Sequence, residues 1–194
     1  MKLYKLGKSL CNLYYKSLYK VEIIGTENIP NEGGVLLCSN HISNNDPPIV
    51  GVSCPRDICF MAKDELFHVP ILKSIMKGLN AFPVKRGMSD RGALKIGLSS
   101  LKEGNVLGLF PEGTRSKTGE VGQGLAGAGF FALRSNAVVV PCAIIGPYKR
   151  FNKIKVVFGK PIDFEPIRTN KASAQEATDI IMNNIAELIA NNKR

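Results

Sequence analysis

A histidine and a carboxylate stand five residues apart in the stretch Asn40-His41-Ile42-Ser43-Asn44-Asn45-Asp46-Pro47-Pro48. If the loop between them folds back, Asp46 accepts a hydrogen bond from one imidazole nitrogen and fixes the tautomer. The other nitrogen is then free to take a proton, which makes the pair the base half of a dyad. A lone histidine at a strand end is more often structural. Asp followed by two prolines is also a common helix start, with Asp as N-cap and Pro in the first turn. Two further polar segments shift that balance.

Ala81-Phe82-Pro83-Val84-Lys85-Arg86-Gly87 reads as a strand ending in two cations and a glycine. Neighbouring side chains on a strand face opposite ways, so one of Lys85 and Arg86 faces a shared site. Arg86 is the better candidate, because a guanidinium meets phosphate with two parallel bonds. Further on, Leu107-Gly108-Leu109-Phe110 runs straight into Pro111-Glu112-Gly113-Thr114-Arg115-Ser116. A carboxylate, a flexible backbone, two hydroxyls and a cation follow in succession. Pro111 sets the exit angle, and Gly113 permits close approach of backbone to ligand. Glu112 can bind substrate hydroxyls or hold an arginine, and Arg115 can bind phosphate. A solvated strand end or a turn with an internal Glu–Arg pair explains each segment singly. Three such segments in one chain point to one shared site.

These residues need elements to carry them. Apolar runs at 21–24, 35–39, 57–62, 80–84, 105–110, 138–145 and 154–158 read as strands, and 47–53, 70–78, 89–103, 124–135 and 172–191 as helices. Asp90 and Gly104 punctuate one helix, and Ser173-x-x-Glu176 has capping-box spacing ahead of another. Such alternation implies an α/β domain over 21–194, a mixed sheet covered by helices, with active residues on loops leaving the strand ends. Pro141 within Val138–Ile145 implies an edge position, a bulge or a ligand-facing break. The glycines between Gly122 and Gly129 read as close packing or a flexible lip, not a nucleotide loop. Residues 1–20 form an amphipathic helix: Leu3, Leu6, Leu10, Leu13, Leu18 and Tyr14 fall on one arc, and Lys5, Lys8, Lys16 and Lys20 opposite. Tyr4, Tyr15 and Tyr19 lie near the boundary. The pattern suits a membrane interface, or equally a helix packed on the domain with a solvated lysine face.

The chain of 194 residues carries 26 basic against 16 acidic residues, a formal net charge of +10. That balance favours an anionic membrane surface or phosphorylated ligands; no nucleic-acid motif is present, so nucleic acid is not the expected partner. Cys11, Cys38, Cys54, Cys59 and Cys142 include no CxxC pair, so neither a zinc site nor a disulfide framework is expected, and a reducing compartment is. No stretch approaches the ~18 uncharged apolar residues that span a bilayer, and the early lysines leave no signal-peptide core. His68 has no carboxylate at the spacing of the His41 pair and reads as structural.

In order and spacing these segments resemble the glycerolipid acyltransferase family, in particular bacterial 1-acyl-sn-glycerol-3-phosphate acyltransferases. The His-x4-Asp block matches His41 and Asp46, and the block with an arginine at a strand end matches Phe82 to Gly87. Phe-Pro-Glu-Gly-Thr-Arg-Ser matches 110–116 in full, and the apolar run with proline matches Val138 to Gly146. Gly122 and Gln123 stand where many relatives carry lysines, and the amphipathic helix replaces a longer apolar N-terminal segment. The resemblance implies acyl transfer from acyl-CoA or acyl-carrier protein to the 2-hydroxyl of a lysophospholipid, giving phosphatidic acid without cofactor or metal. It implies His41 as base and Asp46 as its orienting acid. Arg86, Arg115 and Lys85 would sit on the phosphate and Glu112 on the glycerol backbone, Gly113 and Thr114 would also bind substrate, and backbone amides near Gly113 would stabilise the oxyanion. The setting implied is the cytoplasmic face of the cell membrane, peripheral or monotopic. Glycerol 3-phosphate or another lysophospholipid is the alternative acceptor, and a catalytically silent, basic membrane-surface protein the alternative outside enzymes. Nothing in the residues sets an oligomeric state.

Overall fold

A computed structural model describes residues 2–85 and 90–193; Arg86, expected to bind phosphate, and Gly87 lie outside the described residues. Seven strands form one sheet in the order β1-β7-β6-β2-β5-β3-β4. They are β1 (Lys20–Ile24), β2 (Val35–Ser39), β3 (Ile58–Lys63), β4 (Phe82–Val84), β5 (Val106–Leu109), β6 (Val138–Ile145) and β7 (Lys153–Phe158). From β6 through β2, β5 and β3 to β4 every pair is parallel; β7 runs antiparallel to β6, and β1 parallel to β7. The sheet is therefore mixed. The parallel strands β2, β4, β5 and β6 all end at one edge, which gathers the loops after residues 39, 84, 109 and 145.

The helices are α1 (Lys2–Leu18), α2 (Asp46–Ser53), α3 (Pro70–Gly78), α4 (Arg91–Lys102), α5 (Gly127–Arg134), α6 (Glu165–Thr169) and α7 (Ala174–Asn192). One face of the sheet packs Leu36 and Leu107 against Phe131, Ile181 and Ile185 of α5 and α7. The other packs Leu37, Val106 and Ile144 with Ile49 of α2 and Tyr15 of α1. Because both faces are covered, all five residues of β2 are buried, and the strand reads as a continuous apolar run. Full burial of a side chain such as Ile181 or Ile185 contributes about 1.5–3 kcal/mol.

Local signals explain the helix ends. Asp90 caps α4 by accepting the Ala93 N–H, Gly104 stops it at φ +84, and α7 opens with the complete Ser173–Glu176 capping box. The close-packing reading of the glycine stretch holds at Gly129, where a Cβ would collide with the Ala174 carbonyl of α7. Pro141 departs from the edge expectation, since β6 is an inner strand. Pairing with β7 begins only at Cys142↔Phe158, and the Pro141 carbonyl accepts the Gly159 N–H at 2.8 Å just beyond it. The missing N–H thus falls where the ladder to β7 has not started.

Helix α1 packs on the domain along one side and leaves its leucine arc exposed. Tyr4 and Tyr15 turn inward and are buried, and Tyr4 Oη accepts the Ile58 N–H at 2.9 Å. Burial pushes the Tyr4 phenol up to about 12. Lys8 is not solvated with the other lysines; its Nζ donates to the Cys54 carbonyl at 2.7 Å. The leucine arc faces out, with Leu6, Leu10 and Leu13 exposed at 57%, 59% and 70%. Among the described residues no helix is long and apolar enough to cross a membrane.

Candidate active site

The loop after β2 turns back on itself so that Asp46 Oδ2 lies 2.7 Å from His41 Nδ1. The same oxygen accepts the backbone N–H of Ile42 at 2.6 Å and of Ser43 at 2.7 Å. Oδ2 therefore faces only donors, Nδ1 carries the ring proton, and Nε2 presents its lone pair. Asp46 was expected as the N-cap of α2, but Asn45 occupies that position without a side-chain cap bond. The carboxylate is directed backward into the loop, where it bonds three groups rather than one. Its other oxygen accepts the Tyr148 hydroxyl at 2.7 Å, from the loop after β6. Asp46 is fully buried and His41 nearly so.

Glu112 sits behind the histidine rather than in front of it. Its Oε1 accepts the His41 backbone N–H at 3.0 Å, and its Oε2 accepts the Gly122 N–H at 3.3 Å. Ser116 N–H donates to the His41 carbonyl at 2.7 Å, so the 112–116 loop grips the histidine main chain on both sides. The side chain of Asn40 ties the same strand end to β6, donating to the Ile144 carbonyl and accepting the Ile144 N–H.

The imidazole stacks on Phe110, with ring centroids 4.2 Å apart and planes 25° from parallel. Phe110 in turn lies nearly parallel to Phe60, at 6.0 Å and 8°. Phe60 is directly opposite Gly108 in the β3–β5 ladder, and any Cβ at 108 would strike its ring. That close approach is what a strand glycine permits.

Two apolar cavities meet at His41 and Phe110. One, of about 560 Å³, lies under α4 and α5 and is lined by Lys85, Leu94, Gly113, Leu125 and Phe131. The other, of about 570 Å³, lies between α1, α2 and α3 and is lined by Tyr4, Cys11, Pro48, Phe60 and Leu79. Lys85 is exposed; its backbone N–H donates to Asp90 Oδ2 at 3.0 Å, and Asp90 lines the first cavity. The Ala93 and Lys85 amides hold the Asp90 carboxyl below its usual range.

Of the residues expected at the site, His41, Lys85 and Gly113 come together around one cavity, with Asp46 and Glu112 braced behind. Gly113 has φ +66, and its N–H is already given to the Phe110 carbonyl at 3.0 Å. Thr114 and Arg115 are exposed and their side chains hold no hydrogen bond among the described residues; Arg115 forms no pair with Glu112. His68 lines neither cavity; an exposed i,i+4 pair joins its Nε2 to Asp64 Oδ2 at 3.1 Å. Among the described residues no three His, Cys, Asp or Glu are placed to hold a metal ion. Cys38 and Cys142 are buried thiols, and burial pushes Cys142 up to about 12. Tyr148 and the bracing role of Asn40 have no local sequence signal; only their place at one sheet edge would have singled them out.

The arrangement is an imidazole held by a buried carboxylate, opening on apolar space beside Lys85. Residues 20–145 match the family model described as "Acyltransferase". A 1-acyl-sn-glycerol-3-phosphate acyltransferase of Bacillus subtilis is 34% identical over 149 residues, covering 73% of each chain. The chloroplastic 1-acyl-sn-glycerol-3-phosphate acyltransferase LPAT1 of Arabidopsis thaliana is 32% identical over 157 residues, 74% of this chain but 44% of that protein. The fold is shared with the crystal structure of the 1-acyl-sn-glycerophosphate (LPA) acyltransferase PlsC from Thermotoga maritima. That match has a TM-score of 0.74 at 24% identity, over 97% of this chain and 79% of that one. The family model covers well over half of the chain and the Bacillus subtilis relative most of it, and the chain belongs to the acyltransferase family.

Proposed function

We propose that the chain transfers a fatty acyl group from acyl-CoA or acyl-carrier protein to the 2-hydroxyl of 1-acyl-sn-glycerol 3-phosphate, giving phosphatidic acid. The observation that carries this reading is the His41–Asp46 bond, which leaves Nε2 unpartnered among the described residues at the meeting point of two apolar cavities. Nε2 takes the hydroxyl proton as the acceptor oxygen attacks the thioester carbonyl, and the imidazolium returns that proton to the departing thiolate. General-base assistance of this kind supplies ~10²–10⁴ in rate. Asp46 orients the ring and stabilises the imidazolium. The substrate hydroxyl is the nucleophile, so transfer is direct and needs no acyl-enzyme, cofactor or metal.

Arg86, Arg115 and Lys85 hold the phosphate, with Thr114 beside them. Glu112 supports His41 rather than the glycerol backbone, because it is buried, lines neither cavity and accepts a main-chain amide on each oxygen. Gly113 contributes close approach rather than an oxyanion donor, since its N–H is engaged. Two cavities, each the size of a small-molecule site, favour an acceptor that already bears one chain over glycerol 3-phosphate. Residues 21–194 form the catalytic unit. Residues 1–20 seat it as a peripheral or monotopic protein on the cytoplasmic face, through Leu6, Leu10 and Leu13 and the exposed Ile71 and Ile75 of α3. The net charge of +10 suits the anionic lipid, acceptor and donor alike.

The test is acyl transfer to lysophosphatidic acid in lipid vesicles with each donor. Thiol release matched by phosphatidic acid, and lost in His41→Ala, is the expected result. Turnover that survives in His41→Ala removes the base. Faster acylation of glycerol 3-phosphate replaces the acceptor, and vesicle binding without turnover leaves the membrane-surface protein.

A further inference from the structure

Asp46 holds its two carboxylate oxygens in different ways. Oδ2 is shared by His41 Nδ1 and the Ile42 and Ser43 amides, while Oδ1 has one partner among the described residues, the Tyr148 hydroxyl at 2.7 Å. An oxygen this deep is costly to leave unpaired, and a carboxylate free on one side can rotate about its Cβ–Cγ bond. We propose that Tyr148 is a positioning residue of the reaction: by fixing Oδ1 it sets the plane in which Oδ2 meets the imidazole. The inference rests on the reading of His41 as the base.

The surroundings fit a dedicated support rather than a chance contact. Burial, and then the Asp46 charge, hold the Tyr148 phenol well above its ordinary range, so it remains a donor. Its ring is met edge-on by Tyr19 at 5.8 Å and 85°, and Tyr19 stacks on Tyr15 at 6.1 Å and 27°. Tyr15 Oη donates to Asn45 Oδ1 at 3.2 Å, beside Asp46 in the chain. Phe151 N–H donates to the Leu18 carbonyl at 2.6 Å, which pins the Tyr148 loop to the end of α1. Tyr15 of α1, Tyr19 just beyond its end and Tyr148 of the β6–β7 loop therefore form a row of rings that meets the 41–46 turn at Asn45 and Asp46. The helix that presents leucines outward supports the dyad on its inner side.

Tyr148→Phe keeps the ring and removes only the hydroxyl. The experiment measures kcat and KM for both substrates on vesicles in four proteins: wild type, Tyr148→Phe, Asp46→Asn and the double variant, with His41→Ala as reference. The expected result is a kcat about tenfold lower in Tyr148→Phe, the scale of one hydrogen bond to a charged group, with KM within about twofold. In the Asp46→Asn background the same change costs less than about twofold, because the hydroxyl acts only through the carboxylate. An unchanged kcat in Tyr148→Phe, or an equal loss in both backgrounds, overturns the inference. Full turnover in His41→Ala defeats the proposed base instead. The low-field proton resonance of His41 Nδ1–H then decides: displaced in Tyr148→Phe, the positioning contact stands; unmoved, it falls.

Discussion

The polar residues of this site fall into two regions built on opposite terms. In the inner region every partner is already present. Asp46 bonds four groups, Glu112 bonds two main-chain amides, and Asn40 is locked to Ile144, all of them buried. In the outer region Lys85, Thr114 and Arg115 are exposed, with no side-chain hydrogen bond among the described residues. The work is divided accordingly. Groups that must hold one geometry through a proton transfer are satisfied by the protein, whereas groups that must hold an anion are left for the substrate to satisfy.

Substitutions at the two regions should separate cleanly. His41→Ala should lower kcat on vesicles by roughly 10³, with the fold retained but the melting temperature somewhat lower, since Phe110 loses a stacked ring and Asp46 one donor. Asp46→Asn should cost roughly 10² in kcat with KM preserved, as the ring loses its orienting acceptor. Glu112→Ala should be felt twice, and this variant puts most strain on the comparison. Two buried amides lose their acceptor, which costs about 1–3 kcal/mol each in denaturant unfolding, and kcat falls with them. A rise in KM at unchanged stability would move Glu112 to the outer region. Arg115→Ala should raise the acceptor KM about tenfold at constant kcat and stability, the mark of uniform binding. Smallest, Leu13→Ser should weaken vesicle sedimentation about fivefold with the melting temperature unmoved, because the side chain is already 70% exposed.

The sequence foretold the layout where the deciding interactions are local or where both faces of an element are covered. All seven strands lie where apolar runs stand, and the His41–Asp46 bond closes within a single turn. What escaped depends on topology. α6 has five residues and a proline, too short for any periodicity to mark. Glu112 reads as a substrate ligand in its own segment; only the β2–β5 pairing brings the His41 amide to it, 71 residues away. Tyr148 reaches Asp46 across 102 residues and belongs to no polar cluster of its own. In α1 the leucine arc was plain, but which arc meets the sheet was decided by Tyr4 and Tyr15, whose rings bury apolar area and place their hydroxyls on partners.

The glycine at 108 carries a consequence of its own. Its bare backbone lets the Phe60 ring lie flat across the ladder, and Phe110 and then the imidazole follow that tilt in turn. One carbon added there would travel along three stacked rings and arrive at His41 as a change of angle. The aim of the base is therefore gauged from inside the sheet by a side chain that is missing, at a position that touches neither proton nor substrate.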